Sequence, residues 1–174
     1  MPKATFSTGI LREIQNCYID IPGFKRKLLN NLPEISDSKS AHYNAEGIIG
    51  RSSPLHTYSF SDTRTISVQF HLFVVILDDF PANRDFLRAI ESCTYPRIGD
   101  PYLPPVVCKL KCGQLLGDED LCIVLQNYSV SFPTDVAWDD YYLMPYRFDI
   151  STNWWVVYSS PDLPDNTRII NSGR

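Results

Sequence analysis

A strict two-residue alternation of apolar and polar side chains runs through residues 65–74. The polar positions hold Thr, Ser, Gln and His, a pattern typical of a half-buried antiparallel strand. The apolar positions are Ile66, Val68, Phe70, Leu72 and Val74. We therefore predict a strand here, packed on a core by its apolar face.

A second alternation fills residues 146–158. Its shared apolar face consists of Tyr146, Phe148, Ile150, Trp154, Val156 and Tyr158. At about 3.3 Å per residue, such a strand would reach roughly 40 Å. This length exceeds that of an ordinary strand, so we predict that part of it projects beyond the sheet and pairs with another subunit.

One helix is predicted at residues 80–92. Asp78 and Asp79 precede Phe80 and Pro81, where a carboxylate can cap free amides and proline fits the first turn. Helical spacing then forms a single apolar stripe that would pack on a sheet. The stripe consists of Phe86, Leu87, Ile90 and Cys93. After a proline-rich connection, residues 106–132 predict a long hairpin.

The remaining segments have weaker patterns. Residues 4–21 predict a strand that ends at a Pro22-Gly23 turn. Residues 25–54 predict a loop or arm that becomes ordered against a neighbour, because connections inside compact domains are usually only about 4 to 6 residues long. Residues 159–174 predict an extended tail. Residues 1–174 thus form one predicted domain, mainly β, with one helix.

Composition narrows the possible functions. A net charge of −4 is unfavourable for the sequence-independent binding of nucleic acid. Aromatic residues make up 13% of the chain, an excess that favours contact surfaces with other proteins, although an aromatic-rich β core would also explain it. The five cysteines and the polar first nine residues predict reduced thiols in a cytoplasm, and no apolar run is long enough to span a membrane.

No catalytic, cofactor or metal motif is recognisable. On a strand, Cys108 and Cys112 would lie about 13 Å apart on one face, too far to share a zinc ion. The three histidines lack metalloprotease spacing, and the glycines form no phosphate loop. The acidic clusters at 78–79, 118–120 and 139–140 lie where turns or caps are expected. We predict a protein that is not an enzyme and has no cofactor.

Several segments together resemble the tail-tube-fold proteins of contractile-tailed bacteriophages, especially tube-initiator or baseplate hub tube proteins. The resemblance covers residues 48–158. Its carriers are IIGRSSP at 48–54, YSFSDTRTIS at 58–67, CTYPR at 93–97 and PPVVCKL at 104–110, together with the order of the predicted elements. The chain departs from the family in the acidic GDED turn at 117–120 and in the bulky WWVVY end at 154–158.

The resemblance implies an antiparallel β-sandwich or barrel with a flanking helix, assembled as a homo-hexameric ring at the hub–tube junction. Such a ring would nucleate the tail tube and line a channel through which DNA passes. It would contact tail-tube and baseplate hub proteins, with wedge or sheath proteins as further candidate neighbours. The protein would assemble in the host cytoplasm and reside in the virion. The predicted subunit-contact residues are Arg51, Tyr58, Arg64, Trp154, Trp155 and Tyr158.

Three alternatives remain open at this stage. A tail-terminator or head–tail adaptor ring would share the fold. A monomeric β-sandwich could bind carbohydrate by stacking Trp138, Trp154 and Trp155 on sugar rings. A glycan hydrolase would need two carboxyl groups at a set separation.

Overall fold

A seven-stranded antiparallel sheet, curled into a half-barrel, forms the body of the protein. The computed structural model describes residues 13–24, 27–30, 33–96, 104–117 and 120–159. The strands are β1 (Glu13–Asp20), β2 (Lys27–Asn30), β3 (Glu34–Ser38), β4 (Ala41–Glu46), β5 (Leu55–Ser61), β6 (Thr65–Phe73), β7 (Cys108–Cys112), β8 (Leu121–Ser131), β9 (Trp138–Asp139), β10 (Met144–Pro145) and β11 (Arg147–Val156), and the helix is α1 (Asp79–Ser92).

The main sheet has the strand order β2-β1-β7-β8-β11-β6-β3. Two further pairs, β4–β5 and β9–β10, stand outside it. The mainly-β fold with one flanking helix is therefore confirmed. Across the described ranges, no helix has the length and apolar character needed to cross a membrane.

The hydrophobic core lies between α1 and one face of the sheet. The alternation predicted for β6 and β11 is confirmed, since every second residue of both strands is buried. The largest of these side chains is Trp154, whose indole Nε1 donates to Thr152 Oγ1 (2.7 Å). Thr152 Oγ1 in turn donates to the Val68 carbonyl oxygen (2.9 Å), so the buried polar atoms are satisfied.

The helix follows the predicted stripe but begins differently. Phe86 and Ile90 are fully buried, as predicted. The Phe80 ring, which was not part of the predicted stripe, is also fully buried. The expected carboxylate cap is wrong, because Asp78 makes no side-chain capping bond. Asp79 Oδ2 instead accepts from the amides of Val75 (2.8 Å) and Ile76 (3.0 Å), which fixes the loop before the helix.

The prediction that the last strand pairs with another subunit is wrong. β11 lies in the middle of the sheet, with β6 along one edge and β8 along the other. The predicted hairpin is present as β7 and β8, but β7 also pairs with β1. Because neighbours within the same chain occupy these strand edges, the length of β11 reflects its central position.

The prediction of a loop or arm over residues 25–54 is wrong for half of that range, where β2, β3 and β4 lie. β3 pairs with β6 in the main sheet, and β4 pairs with β5 outside it. β1 confirms a strand in the first predicted segment at Glu13–Asp20. Residues 4–12 and 160–174 lie outside the described residues.

Candidate functional site

A two-stranded ribbon extends from the sheet between β3 and β6. We define the ribbon as β4, β5 and the connecting residues 47–54. Every residue of the ribbon is exposed. Because a two-stranded hairpin is at best marginally stable alone in water, a ribbon with no buried face needs another source of order.

The ribbon presents aromatic side chains to solvent. Tyr43, Tyr58 and Phe60 are each more than half exposed. The rings of Tyr43 and Tyr58 meet edge-on at 5.9 Å between centroids, and His42 stacks on Phe60 at 4.7 Å. These pairs hold the two strands to each other while leaving apolar surface uncovered, which is characteristic of an interaction surface.

The tip of the ribbon is a tight turn with two exposed isoleucines. The Arg51 amide donates to the Ile48 carbonyl oxygen (3.2 Å), and Gly50 has φ 86°. A positive φ at the third position defines a type II turn, for which glycine is the favoured residue. Ile49 is fully exposed, and Arg51 is the only Lys, Arg, Asp or Glu in residues 47–57.

An ion pair holds the base of the ribbon. Arg64, at the start of β6, donates through Nε and Nη2 to both carboxylate oxygens of Asp37 in β3. Hydrogen bonds to Asp37 raise the pKa of the Arg64 guanidinium, and Tyr158 contributes in the same direction. The main chain adds a bond from the Asp62 amide to the Ser40 carbonyl oxygen (2.8 Å).

The sheet face opposite α1 is covered with polar side chains, and we call it the polar face. Its four rows across β8, β11 and β6 are Ser131–Asp149–His71, Ser129–Ser151–Gln69, Asn127–Asn153–Ser67 and Val124–Trp155–Thr65. Hydrogen bonds join the three strands within the third of these rows. Asn153 Nδ2 donates to Asn127 Oδ1 (2.8 Å), and Ser67 Oγ donates to Asn153 Oδ1 (2.6 Å). No lysine occurs in these four rows.

Five of the six predicted contact residues fall into three groups. Arg51 and Tyr58 are exposed on the ribbon, where a partner can reach them. Arg64 and Tyr158 interact with each other at its base. Trp155 is 45% exposed at the border of the polar face.

Trp154 requires a correction. It is fully buried within its own chain, so its indole is available neither for a subunit contact nor for stacking on a sugar. Trp138 and Trp155 lie at opposite ends of β11, beside Pro145 and Thr65 respectively. The three tryptophans therefore do not form a common carbohydrate platform.

A second exposed apolar surface, missed by the sequence reasoning, lies at the other end of β6 and β11. We define this end patch as the loop of residues 74–78 and the segment 132–146. Its exposed side chains are Val75, Ile76, Leu77, Phe132, Trp138, Tyr141, Leu143 and Tyr146. The available signal was the apolar run VVIL at 74–77, which breaks the alternation of β6.

Four of the five cysteines meet in buried pairs. Cys17 Sγ lies 2.8 Å from Cys112 Sγ, and Cys93 Sγ lies 3.6 Å from Cys108 Sγ. Burial, together with the contact to Cys112, raises the pKa of Cys17 to about 12. Among the described residues, no group of three His, Cys, Asp or Glu could hold a metal ion.

Comparison with known proteins adds no assignment, since no protein family and no curated protein matches the chain in sequence.

Proposed function

We propose that the chain is a structural ring subunit of a contractile phage tail, at the junction between the baseplate hub and the tail tube. In this role, copies of the chain form a hexameric ring that nucleates the tube and surrounds the DNA channel. The proposal rests on the resemblance at residues 48–158 and on one structural observation, the fully exposed ribbon.

The ribbon supports self-assembly because its aromatic pairs have no covering surface within the described part of the chain. Tyr58 lies near its middle, with its hydroxyl 2.9 Å from Ser61 Oγ and its ring against Tyr43. Tyrosine contributes a large, rigid contact area with a polar end and is enriched at energetically dominant interface positions. Docking against a neighbouring subunit would bury this surface.

The polar face supports a channel lining. A passing DNA strand carries phosphates that bind Lys and Arg strongly. Three of the four rows of the polar face hold Ser, Asn and Gln, with Asp149 paired to His71 (2.6 Å), and the fourth consists of Val124, Trp155 and Thr65. The cations on the same face lie in neighbouring rows, where Arg147 pairs with Asp149 and Lys111 with Asp120, and Lys109 is exposed in β7. The four cation-free rows, together with the chain's net charge of −4, disfavour the retention of DNA.

The sheet edges support ring closure. Within the described part of the chain, β2 and β3 are the outermost strands of the main sheet. Unpaired strand edges promote association, and closed symmetric assemblies remove them. A tail-terminator or head–tail adaptor ring would use the same edges and remains the alternative position along the tail.

One observation favours a second candidate, a monomeric carbohydrate-binding module. Trp155 is exposed beside Thr65 and the Asn and Ser side chains of the polar face. An aromatic ring next to amide and hydroxyl groups has the composition of a sugar site. In this case Trp155→Ala would abolish glycan binding by a protein that remains monomeric.

Native mass spectrometry followed by negative-stain imaging tests the ring proposal. We expect a hexameric ring for the wild-type protein, formed alone or on addition of hub and tube proteins. Tyr58→Ala should weaken assembly at least tenfold, corresponding to about 1.4 kcal/mol. Leu115→Ala is the matched control, because Leu115 is 77% exposed away from the ribbon. A protein that stays monomeric under both conditions contradicts the proposal.

A further inference from the structure

We infer that the end patch is the docking site for the ribbon tip of a second copy of this chain. The inference rests on the proposed self-assembly and names the surface that receives the ribbon. Among the described residues, fourteen of the nineteen exposed large hydrophobic side chains belong to these two surfaces, six to the ribbon and eight to the end patch. Apolar exposure is therefore concentrated at two places.

The two surfaces lie at opposite ends of the same strands. The ribbon joins the sheet where Thr65 pairs with Trp155, whereas the end patch lies beyond the pair Phe73–Arg147. The nine residues of β6 separate these ends by roughly 30 Å. Because every ribbon residue is exposed, the ribbon does not fold back over its own sheet. Contact between tip and patch must therefore occur between copies.

The end patch is held rigid by two aspartates that each accept from two backbone amides. Asp79 Oδ2 fixes Val75 and Ile76, as described above. Asp139 Oδ2 accepts from the amides of Tyr141 (3.0 Å) and Tyr142 (2.7 Å). Apolar side chains on a fixed backbone lose little entropy when they bind, so the patch is preorganised for a partner.

The backbone of the end patch also stores strain. Leu143 adopts φ 53°, in the left-handed region that bulky residues avoid, and its side chain is 75% exposed. The Leu143 amide donates to the Asp139 carbonyl oxygen (2.9 Å), which keeps the turn closed. Strain of this kind persists only when the surroundings enforce it and concentrates at functional surfaces.

A groove of about 330 Å³ lies in the end patch, lined by residues 74–78 and Tyr146. Its walls are the exposed Val75, Ile76 and Leu77 loop and the Tyr146 ring, which packs edge-on against Phe80 at 5.3 Å. An isoleucine on a protruding turn suits an apolar groove of this kind. The ribbon tip offers Ile48 and Ile49 in adjacent positions.

The charges of the two surfaces are complementary. Residues 74–83 and 132–146 contain Asp78, Asp79, Asp135, Asp139 and Asp140 and no Lys or Arg. The neighbouring cations, Arg84 and Arg147, already pair with Asp85 and Asp149. The tip carries a single charge, the exposed Arg51. An apolar tip with one cation thus meets an apolar groove whose lining includes Asp78, in an end patch without Lys or Arg, which favours this pairing over contact between two tips.

This contact joins different surfaces of identical chains, so it is heterologous and closes into a ring when the rotation permits. A complementation experiment tests it. Ile49→Asp disables the tip, Leu77→Arg disables the groove, and Leu115→Arg is the exposed-leucine control. Native mass spectrometry and thermal unfolding are recorded for each variant alone and for the 1:1 mixture of the first two.

We expect the wild type and the control to assemble, both surface variants to be folded monomers, and their mixture to associate, since one intact tip meets one intact groove. Assembly of Leu77→Arg at the wild-type level would overturn the end patch as the docking site while leaving self-assembly intact. A mixture that stays monomeric would overturn the tip-to-groove pairing. A wild-type protein that is monomeric at every concentration, both alone and with hub and tube proteins added, would overturn both this inference and self-assembly.

Discussion

The strand pairs β6–β11 and β4–β5 are both antiparallel, yet most apolar residues of the first pair are buried and those of the second are exposed. In β6–β11, every second side chain enters the core under α1 and the others form the polar face. In β4–β5, both faces are exposed, although aromatic residues occupy both strands. The first pair builds the fold, and the second uses the same side-chain types on the surface.

This difference shows that aromatic content alone does not locate an interface. Trp154 and Trp155 are neighbours in sequence, but one is fully buried and the other is 45% exposed. Strand alternation decides which side chain is structural and which is accessible. The experiments below alter each region separately, beginning with the largest expected effect.

Replacing the buried tryptophan should destabilise the fold. Trp154→Ala removes the largest core side chain and the donor to Thr152 Oγ1, with an expected loss of about 3–5 kcal/mol in the free energy of unfolding. Urea titration measures this loss. Trp155→Ala is the matched control and should change stability by less than about 1 kcal/mol. Equal losses for both variants would contradict the placement of the two rings.

Breaking the ion pair at the ribbon base should have a smaller effect. Arg64→Met removes both bonds to Asp37 but retains most of the apolar stem. Because the Asp37 side chain is about one third exposed, solvent screening limits the expected loss to about 1 kcal/mol. Chemical unfolding in low and high salt measures this loss, which should shrink as salt rises. A loss of stability that does not depend on salt would indicate that Arg64 stabilises the ribbon base by packing and not by its charge.

Altering the turn at the ribbon tip should destabilise that turn and weaken assembly. Gly50→Ala places a Cβ on a residue with φ 86°, a conformation that costs an L-residue about 1–2 kcal/mol. Gly47→Ala is the control, since that glycine has no positive φ and no atom within 4 Å of an added Cβ. The two variants are compared by their dissociation constants for self-association. Identical constants would show that the tip conformation is not used.

The reactivity of the cysteine thiols should show whether the interior of the main sheet is closed to solvent, without any change to the ribbon. We expect iodoacetamide to label the exposed Cys122 in the native protein and the four buried cysteines only after unfolding. Intact-mass measurement counts the added groups. Labelling of more than one cysteine under native conditions would contradict the buried pairs.

The same thiols imply a pH dependence. Because folding raises the pKa of Cys17 from 9.0 to about 12, its contribution to stability is complete below pH 9 and is lost as the pH rises toward 12. Unfolding titrations across this range should show falling stability, and Cys17→Ala should reduce the fall. An unchanged slope in the variant would assign the effect to other groups.

The body of the fold was largely predictable from the sequence, because burial imposes a period on the residues that form it. Strict alternation located β6 and β11, and the helical stripe located α1. β3 and β4 escaped prediction because their sequences, EISDS and AHYNAE, carry no such period: β3 packs only Ile35 against the core, and β4 buries no side chain. Their strand conformation comes from pairing with β6 and β5, a tertiary effect.

The candidate site was predictable only in part. Arg51 and Tyr58, predicted as contact residues, are exposed on the ribbon, whereas Trp154 was misjudged because the length of β11 suggested a free edge. The end patch is assembled from residues 74–78 and 132–146, which meet through the bond from the Val74 amide to the Tyr146 carbonyl oxygen (2.9 Å). Separation in sequence hid this surface.

The most direct test of the central claim is amide hydrogen exchange at low and high protein concentration. If a second copy orders the ribbon, protection of β4 and β5 should rise with concentration, while β6 and β11 stay protected throughout. The end patch should gain protection in parallel with the ribbon. Ribbon protection that does not change while the protein assembles would contradict the account, because the ribbon would then take no part in the contact between copies.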